Sequence, residues 1–194
     1  MRIKETRVTL LRMTLAAAAA TALAAPAAAA TADDTFNAFK LVCGDTHADY
    51  AAAVTAAGKN SWKQTNVMAD TMKGVTVLEK AARTRSVNDQ TLMLFVTRGT
   101  AKAGGADVGV STCTVQTDRG AFPELTALTQ AWLGLPAAVT TDTTATFRFT
   151  EDGGVHKAVG PSDLDAAAAG AGMDIITVRR DGANATLDFV KIKK

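Results

Sequence analysis

The sequence has few of the residues that most often carry chemistry. Its 194 residues include two cysteines, two histidines, two tryptophans and one tyrosine. It contains neither a G-x-S-x-G serine motif nor a G-x-x-x-x-G-K-[ST] phosphate loop, the patterns typical of many hydrolases and of nucleotide-binding enzymes. These absences argue against an enzyme, and the sequence predicts no catalytic residue and no cofactor.

The net positive charge of the chain comes from its N-terminus. Residues 1–30 open with four basic residues and continue into an alanine-rich apolar run that ends in Ala-Ala-Ala. This order predicts a secretory signal peptide, cleaved after Ala30 or Ala32. Without residues 1–30 the chain keeps 17 basic and 18 acidic residues, a net charge of −1. Such a domain offers no electrostatic case for binding nucleic acid or an anionic membrane surface.

The predicted mature chain, residues 31–194, is long enough for a single exported domain. We expect it to be soluble in the periplasm or secreted, with no membrane span after the signal peptide is removed. Cys43 lies too far from the apolar run to be a lipid-attachment cysteine, so we do not expect a lipoprotein. The expected partner is an envelope protein or a small ligand of unknown identity.

The two cysteines predict one structural disulfide. Cys43 and Cys113 form an even set in an exported chain, where disulfides persist. Closing a loop of this length would stabilise the fold by roughly 4 kcal/mol in the chain-entropy model.

Helical patterns dominate the beginning of the predicted domain. One helix is expected from Asp33 or Asp34 to Gly44, and a second from Thr46, as N-cap, to Gly58. Together they predict an N-terminal helical hairpin. A short helix over residues 66–73 is also predicted.

Strand patterns follow. Strands are expected over 78–86, 91–98 and 107–117, joined as an antiparallel meander. After a helix from Phe122 to Leu133, strands are expected at 144–150 and 155–159, then a short helix after Pro161 and a closing hairpin at Asp181-Gly182. The predicted fold class is therefore α+β, with about six antiparallel strands covered by helices on one face.

The segment NAFKLVCGDTHADY places Cys43, Asp45, His47 and Asp49 close together. A reactive thiolate would need a reducing compartment, which export excludes. A metal site could combine Asp45, His47 and Asp49 with the distant His156, but residues two apart diverge on a helix and the spacing is not that of a helical zinc site. No metal site is predicted.

The remaining candidates have local structural roles. Asp163 and Asp165 suit a helix N-terminus, and Glu151 and Asp152 suit a hairpin turn, so neither pair predicts acid–base chemistry. Trp62 is expected at the core or its edge. An exposed Trp62 would be a candidate partner-binding residue.

The segment from Phe36 to Trp62 resembles a group of small uncharacterised periplasmic proteins of Gram-negative bacteria. The resemblance rests on Phe36, Phe39, Cys43, the alanine-rich helix ending at Gly58, and Trp62, with a second strand cysteine at Cys113. It implies an exported domain and supplies no catalytic residues.

Three functions remain open at this point. The leading hypothesis is a non-catalytic binding or accessory module of the cell envelope. The second is a small hydrolase that uses His47 or His156 with an aspartate, and the third is a self-associating structural or stress-related envelope protein. A cleft that joins the histidines would favour the hydrolase, and a large apolar patch would favour self-association.

Overall fold

A computed structural model describes residues 24–66, 74–103, 105–119, 121–170 and 172–193. The first helix, α1 (Ala24–Phe39), continues directly into a π-helix (Lys40–Gly44) and is followed by α2 (Tyr50–Lys59). α1 therefore runs through both predicted cleavage positions. The later helices are α3 (Phe122–Leu133), a 3₁₀ turn (Pro161–Asp163) and α4 (Leu164–Ala169). Gly134 ends α3 in a left-handed conformation, φ 66°, as glycine commonly does.

The described residues contain nine strands in one antiparallel sheet. Their bounds are β1 (Lys63–Gln64), β2 (Val75–Val87), β3 (Gln90–Ala103), β4 (Ala106–Thr117), β5 (Val139–Thr140), β6 (Thr144–Asp152), β7 (Val155–Ala158), β8 (Met173–Asp181) and β9 (Asn184–Lys193). The order across the sheet is β1-β2-β3-β4-β9-β8-β6-β5, and β7 also pairs with β6. β9 thus joins the early meander to the late strands.

The main core lies between one face of this sheet and the helices. α1 packs against α3 and β4, and α2 packs against β3 and β4. Alternate residues of β3, β4, β6, β8 and β9 fill the sheet side of the core with buried apolar side chains, which is the pattern of a half-buried antiparallel sheet. Among the described helices, none is both long enough and apolar enough to cross a bilayer.

The predicted fold class is wrong in its architecture. The molecule is mainly antiparallel sheet, with nine strands rather than about six among the described residues. The N-terminal helices do not form the expected hairpin, because α1 continues through the π-helix and takes α3 as its main helical partner. The predicted N-cap of the second helix is also wrong, because Asp49 caps α2 through its carboxylate on the Ala52 amide at 3.0 Å.

Several local predictions are confirmed. The meander, α3, the closing hairpin and the short helix after Pro161 lie where the patterns placed them. The predicted helix over 66–73 falls on residues that, from 67 onward, lie outside the described part of the chain.

Candidate functional site

The core-facing side of the sheet changes from apolar to charged near one end of three strands. On β6, β8 and β9 a buried apolar residue is followed, two positions along the same face, by a charged one: Phe149 then Glu151, Ile176 then Asp174, and Phe189 then Lys191. The register places Asp174 directly beside Lys191, and because Phe149 pairs with Asp174, Glu151 lies two residues further toward the edge on β6. A charged rim therefore borders the apolar core.

A strained loop carries His47 over this rim. His47 and Ala48 both have positive φ, 51° and 53°, a conformation that costs non-glycine residues roughly 1–2 kcal/mol each. Two local hydrogen bonds hold this loop in place. The Ala48 amide donates to the Cys43 carbonyl at 2.9 Å, and the Thr46 hydroxyl donates to the Val42 carbonyl at 2.6 Å. Ala48 itself is fully buried. Strain retained in this way is common at functional sites.

The disulfide anchors the same loop to the sheet. Cys43 and Cys113 are bonded, with their Cα atoms 5.4 Å apart, so the predicted pairing is confirmed. Both residues are fully buried. The π-helix that leads into the His47 loop is therefore fixed covalently to β4.

Both histidines of the chain meet the same carboxylate. His47 Nδ1 lies 3.2 Å from Glu151 Oε2, and His156 Nε2 lies 3.8 Å from the same oxygen. His156 Nδ1 lies 3.1 Å from the Leu133 carbonyl oxygen, which can only accept, so this nitrogen carries a proton. Nε2 of His156 is then the ring atom that faces the site.

Aromatic rings fix the orientation of His156. Its ring packs edge-to-face against Trp132 at 6.1 Å and against Phe149 at 5.0 Å between centroids. Only 15% of its side chain is exposed, compared with 49% for His47. His156 is therefore a rigid wall of the site, and His47 is its accessible edge.

Asp174 is the buried charge of the site. It is 4% exposed, and Lys191 Nζ lies 3.5 Å from its Oδ2. Its other carboxylate oxygen, Oδ1, is buried without a hydrogen-bond partner among the described residues. Burial raises the pKa of Asp174 above the usual aspartate value, and the positive charge of Lys191 offsets only part of this effect. Perturbed carboxyl groups in clefts are candidates for functional groups.

Two adjoining clefts open at this place. The first, which we call the polar cleft, has a volume of about 400 Å³ and is lined by His47, Asp49, Glu151, Asp174, Lys191 and Lys193 among others. The second, the aromatic cleft, has a volume of about 340 Å³ and is lined by Asp45, His47, Trp132, Phe149, Glu151, His156, Phe189 and the glycines 44 and 154. His47 and Glu151 line both clefts, so this pair forms the wall between them.

These groups can bind a polar ligand and can move protons. Carboxylates, imidazoles and ammonium groups face one concave surface, as in small-molecule sites. Together they supply charges of both signs. The hydroxyl of Thr46, which also lines the polar cleft, already donates to a backbone carbonyl. Within the described ranges, no group of three or more His, Cys, Asp or Glu residues could hold a metal ion.

The structure brings some of the candidate residues predicted from the sequence into the site and leaves others outside it. His47 and His156 come together, but their shared carboxylate is a glutamate rather than the aspartate that the hydrolase hypothesis expected. Asp45 lines the aromatic cleft, whereas Asp163 belongs to the 3₁₀ turn and lines neither cleft.

Trp62 is not an exposed anchor. Its side chain is 3% exposed and belongs to the main core. The condition under which the sequence made it a partner-binding candidate, exposure on a loop, is therefore not met in this fold.

Sequence reasoning missed Glu151, Asp174 and Lys191 as site residues. Each continues an alternating apolar series on its own strand, so period-two alternation carried a signal for the shared face. The alternation within one strand could not show that β6, β8 and β9 lie close together in the sheet.

No protein-family model, curated protein or solved structure matches this chain. The resemblance to small periplasmic proteins therefore gains no support from these comparisons, and the site stands on its own geometry.

Proposed function

We propose that this protein is a binding module of the bacterial cell envelope whose ligand occupies the two clefts around Glu151. The observation that carries the proposal is Asp174, a buried carboxylate at the edge of the polar cleft with one oxygen that has no partner in the described part of the chain. An unsatisfied buried polar atom costs about 1–3 kcal/mol. A fold that keeps this cost beside a strained loop gains something other than stability there.

The proposed location is the periplasm or the extracellular medium. The signal-peptide pattern of residues 1–30 supports export. The Cys43–Cys113 disulfide is the kind of bond that forms and persists in oxidising compartments. The proposed ligand is therefore a component of the envelope or of its surroundings.

Thermal melting in the presence of fractionated envelope extract tests this function. A ligand at concentration L that binds only the folded chain stabilises it by RT ln(1 + L/Kd), so the melting temperature rises with the logarithm of the ligand concentration above the Kd. We expect a fraction that stabilises the wild-type chain and not Glu151→Gln. Asp107→Asn, at an exposed position on β4 outside both clefts, is the matched control. Equal stabilisation of all three chains, or of none, would contradict the proposal.

A small hydrolase is the second candidate, favoured by the contact between His47 and Glu151. In this scheme Glu151 orients His47, and Nε2 of His47 takes a proton from a water molecule that attacks an ester carbonyl. His47 then returns the proton to the departing alkoxide. Turnover of a chromogenic ester panel that Glu151→Gln and His47→Ala abolish would favour this reading over simple binding.

A further inference from the structure

The two clefts differ in the charge of their linings. The polar cleft mixes three carboxylates with Lys191 and Lys193. The aromatic cleft has Asp45 and Glu151 as its carboxylates, and none of the described lysines or arginines lines it. Apart from the imidazoles of His47 and His156, which lie against Glu151, its ionisable side chains are carboxylates, so the cleft favours a cation over an anion.

Rings form the other part of the aromatic cleft. Trp132 is half-buried and lines it, and so does the ring of His156. Trp132 also packs edge-to-face against Phe36 and Phe39, at 6.0 and 6.3 Å between centroids, which holds the indole in place. A cation over an indole face gains about 0.5–2 kcal/mol.

Close packing of the backbone supports the indole further. A Cβ added at Gly44 would lie 2.8 Å from the Trp132 ring atom Cη2. The absence of a side chain at this position therefore lets the loop that carries Asp45 and His47 lie directly against the indole. The acidic side and the aromatic side of the cleft are brought together by this contact.

We propose that the aromatic cleft binds a small organic ammonium ion, with the positive nitrogen between Glu151 and Asp45 and its alkyl groups against Trp132. The proposal rests on the proposed binding function and names the ligand class of that site. Carboxylates supply the charge, and a polarisable ring supplies contact with the alkyl groups. A volume of about 340 Å³ suits a compact ligand.

The probe is choline, compared with its neutral carbon isostere 3,3-dimethylbutan-1-ol and with ethanolamine. The chain has only two tryptophans, so a ¹H–¹⁵N spectrum contains two indole signals, which Trp62→Phe assigns. We expect choline to shift the Trp132 signal saturably. The Trp62 signal should stay in place, because Trp62 lines neither cleft. The neutral isostere should bind at least about tenfold more weakly, the ratio that corresponds to about 1.4 kcal/mol.

Matched variants test the role of charge. Glu151→Gln should weaken choline binding about tenfold or more and leave the weak binding of the isostere unchanged. Asp45→Asn, an exposed single-atom change, should weaken it several-fold and keeps the test valid should Glu151→Gln unfold. Glu124→Gln, exposed in the first turn of α3, should change neither.

The ammonium group could be free or carried by a lipid headgroup. Cosedimentation with vesicles of phosphatidylethanolamine and phosphatidylglycerol, compared with phosphatidylglycerol alone, separates these sources. Binding only to the first vesicles, reduced by free ethanolamine, assigns a lipid-borne group. Binding of choline or ethanolamine in solution without vesicle binding assigns a free cation.

Three results would overturn the ligand class: equal binding of choline and its isostere, choline binding unaffected by both acidic-site variants, or no response to any ammonium probe at millimolar concentration in solution or on vesicles. In each case, stabilisation by an envelope fraction that depends on Glu151 would still leave the binding function standing. Loss of both responses would end both proposals.

Discussion

Asp174 is a single residue that lowers the stability of the fold and contributes a charge to the site. Its neighbours on the same face of β8, Ile176 and Val178, are fully buried apolar residues. An apolar side chain at 174 would extend the core by one more layer. A carboxylate there instead supplies negative charge at the edge of the polar cleft.

The raised pKa of Asp174 predicts a pH-dependent stability. The folded state holds the Asp174 proton more tightly than the unfolded state does, because burial disfavours the charged form. The charged carboxylate therefore lowers stability above its raised pKa. This penalty is relieved as the pH falls through that pKa toward the ordinary aspartate value of about 3.9.

Asp174→Asn removes the charge and keeps the shape. We expect the melting temperature at pH 7 to rise by about 3 °C, the shift that about 1 kcal/mol gives in a chain of this size. The advantage should shrink between pH 7 and pH 4, measured by calorimetry with Asp107→Asn as control. A variant less stable than wild type at pH 7 would mean that the pair with Lys191 outweighs the cost of burial.

At the scale of elements, close approach of two strands gives a prediction at Gly99. Beside the β-bulge between Val77 and Glu79 of β2, a Cβ at Gly99 would clash with the Thr76 carbonyl oxygen. Gly99→Ala should lower the unfolding free energy by about 1–3 kcal/mol, the usual cost of overpacking. Urea denaturation measures it.

Gly109 on the neighbouring strand is the matched control. Its Cβ would lie 3.6 Å from the Lys193 carbonyl oxygen, an ordinary contact. Gly109→Ala should therefore be close to neutral. Similar losses for both variants would show that β propensity, rather than the approach of β2, governs this part of the sheet.

The disulfide joins two elements, so its loss should lower the stability of the fold. Reduction should lower the unfolding free energy of the wild-type chain by roughly 4 kcal/mol, the chain-entropy value for a loop of this length. The Cys43→Ala/Cys113→Ala variant should melt at one temperature with or without reductant. Should reductant leave wild-type stability unchanged, the bond would contribute nothing.

Local elements were predictable because their signals are local. α3 has Pro123 in its first turn and Gly134 after its end, and the closing hairpin has Asp181-Gly182. The N-terminal hairpin was wrong for a physical reason: Gly44 reads as a helix break, but it is buried against Trp132 and ends a π-helix that continues α1. The contact between Gly44 and Trp132 is tertiary, so the local sequence pattern could not show that the helix continues as far as Gly44.

At the scale of the whole molecule, the pairing of β4 with β9 joins the early meander to the last hairpin. This pairing, and that of β6 with β8, connects strands that are not neighbours in the sequence. Nothing in the alternation of a single strand specifies its distant partner. The fold could therefore be predicted strand by strand but not as one sheet.

The site depends on those distant pairings. Glu151 and His156 come from β6 and β7, and His47 comes from a loop between helices near the start of the described chain. The sequence could nominate the two histidines as rare residues. The β6–β7 hairpin pairs His156 with Glu151 locally, but the sequence could not bring His47 to the same glutamate, because that contact requires the helical layer and the sheet to be assembled first.

The central claim, that both histidines meet Glu151 in one site, is tested most directly by the imidazole NMR signals. The chain has two histidines, so a long-range ¹H–¹⁵N spectrum at fixed pH resolves both rings. Glu151→Gln should shift the ring signals of His47 and His156 together, while Asp152→Asn, one residue further on, should leave both in place. If only one ring responds, or neither does, the histidines do not share Glu151 and this account of the site is wrong.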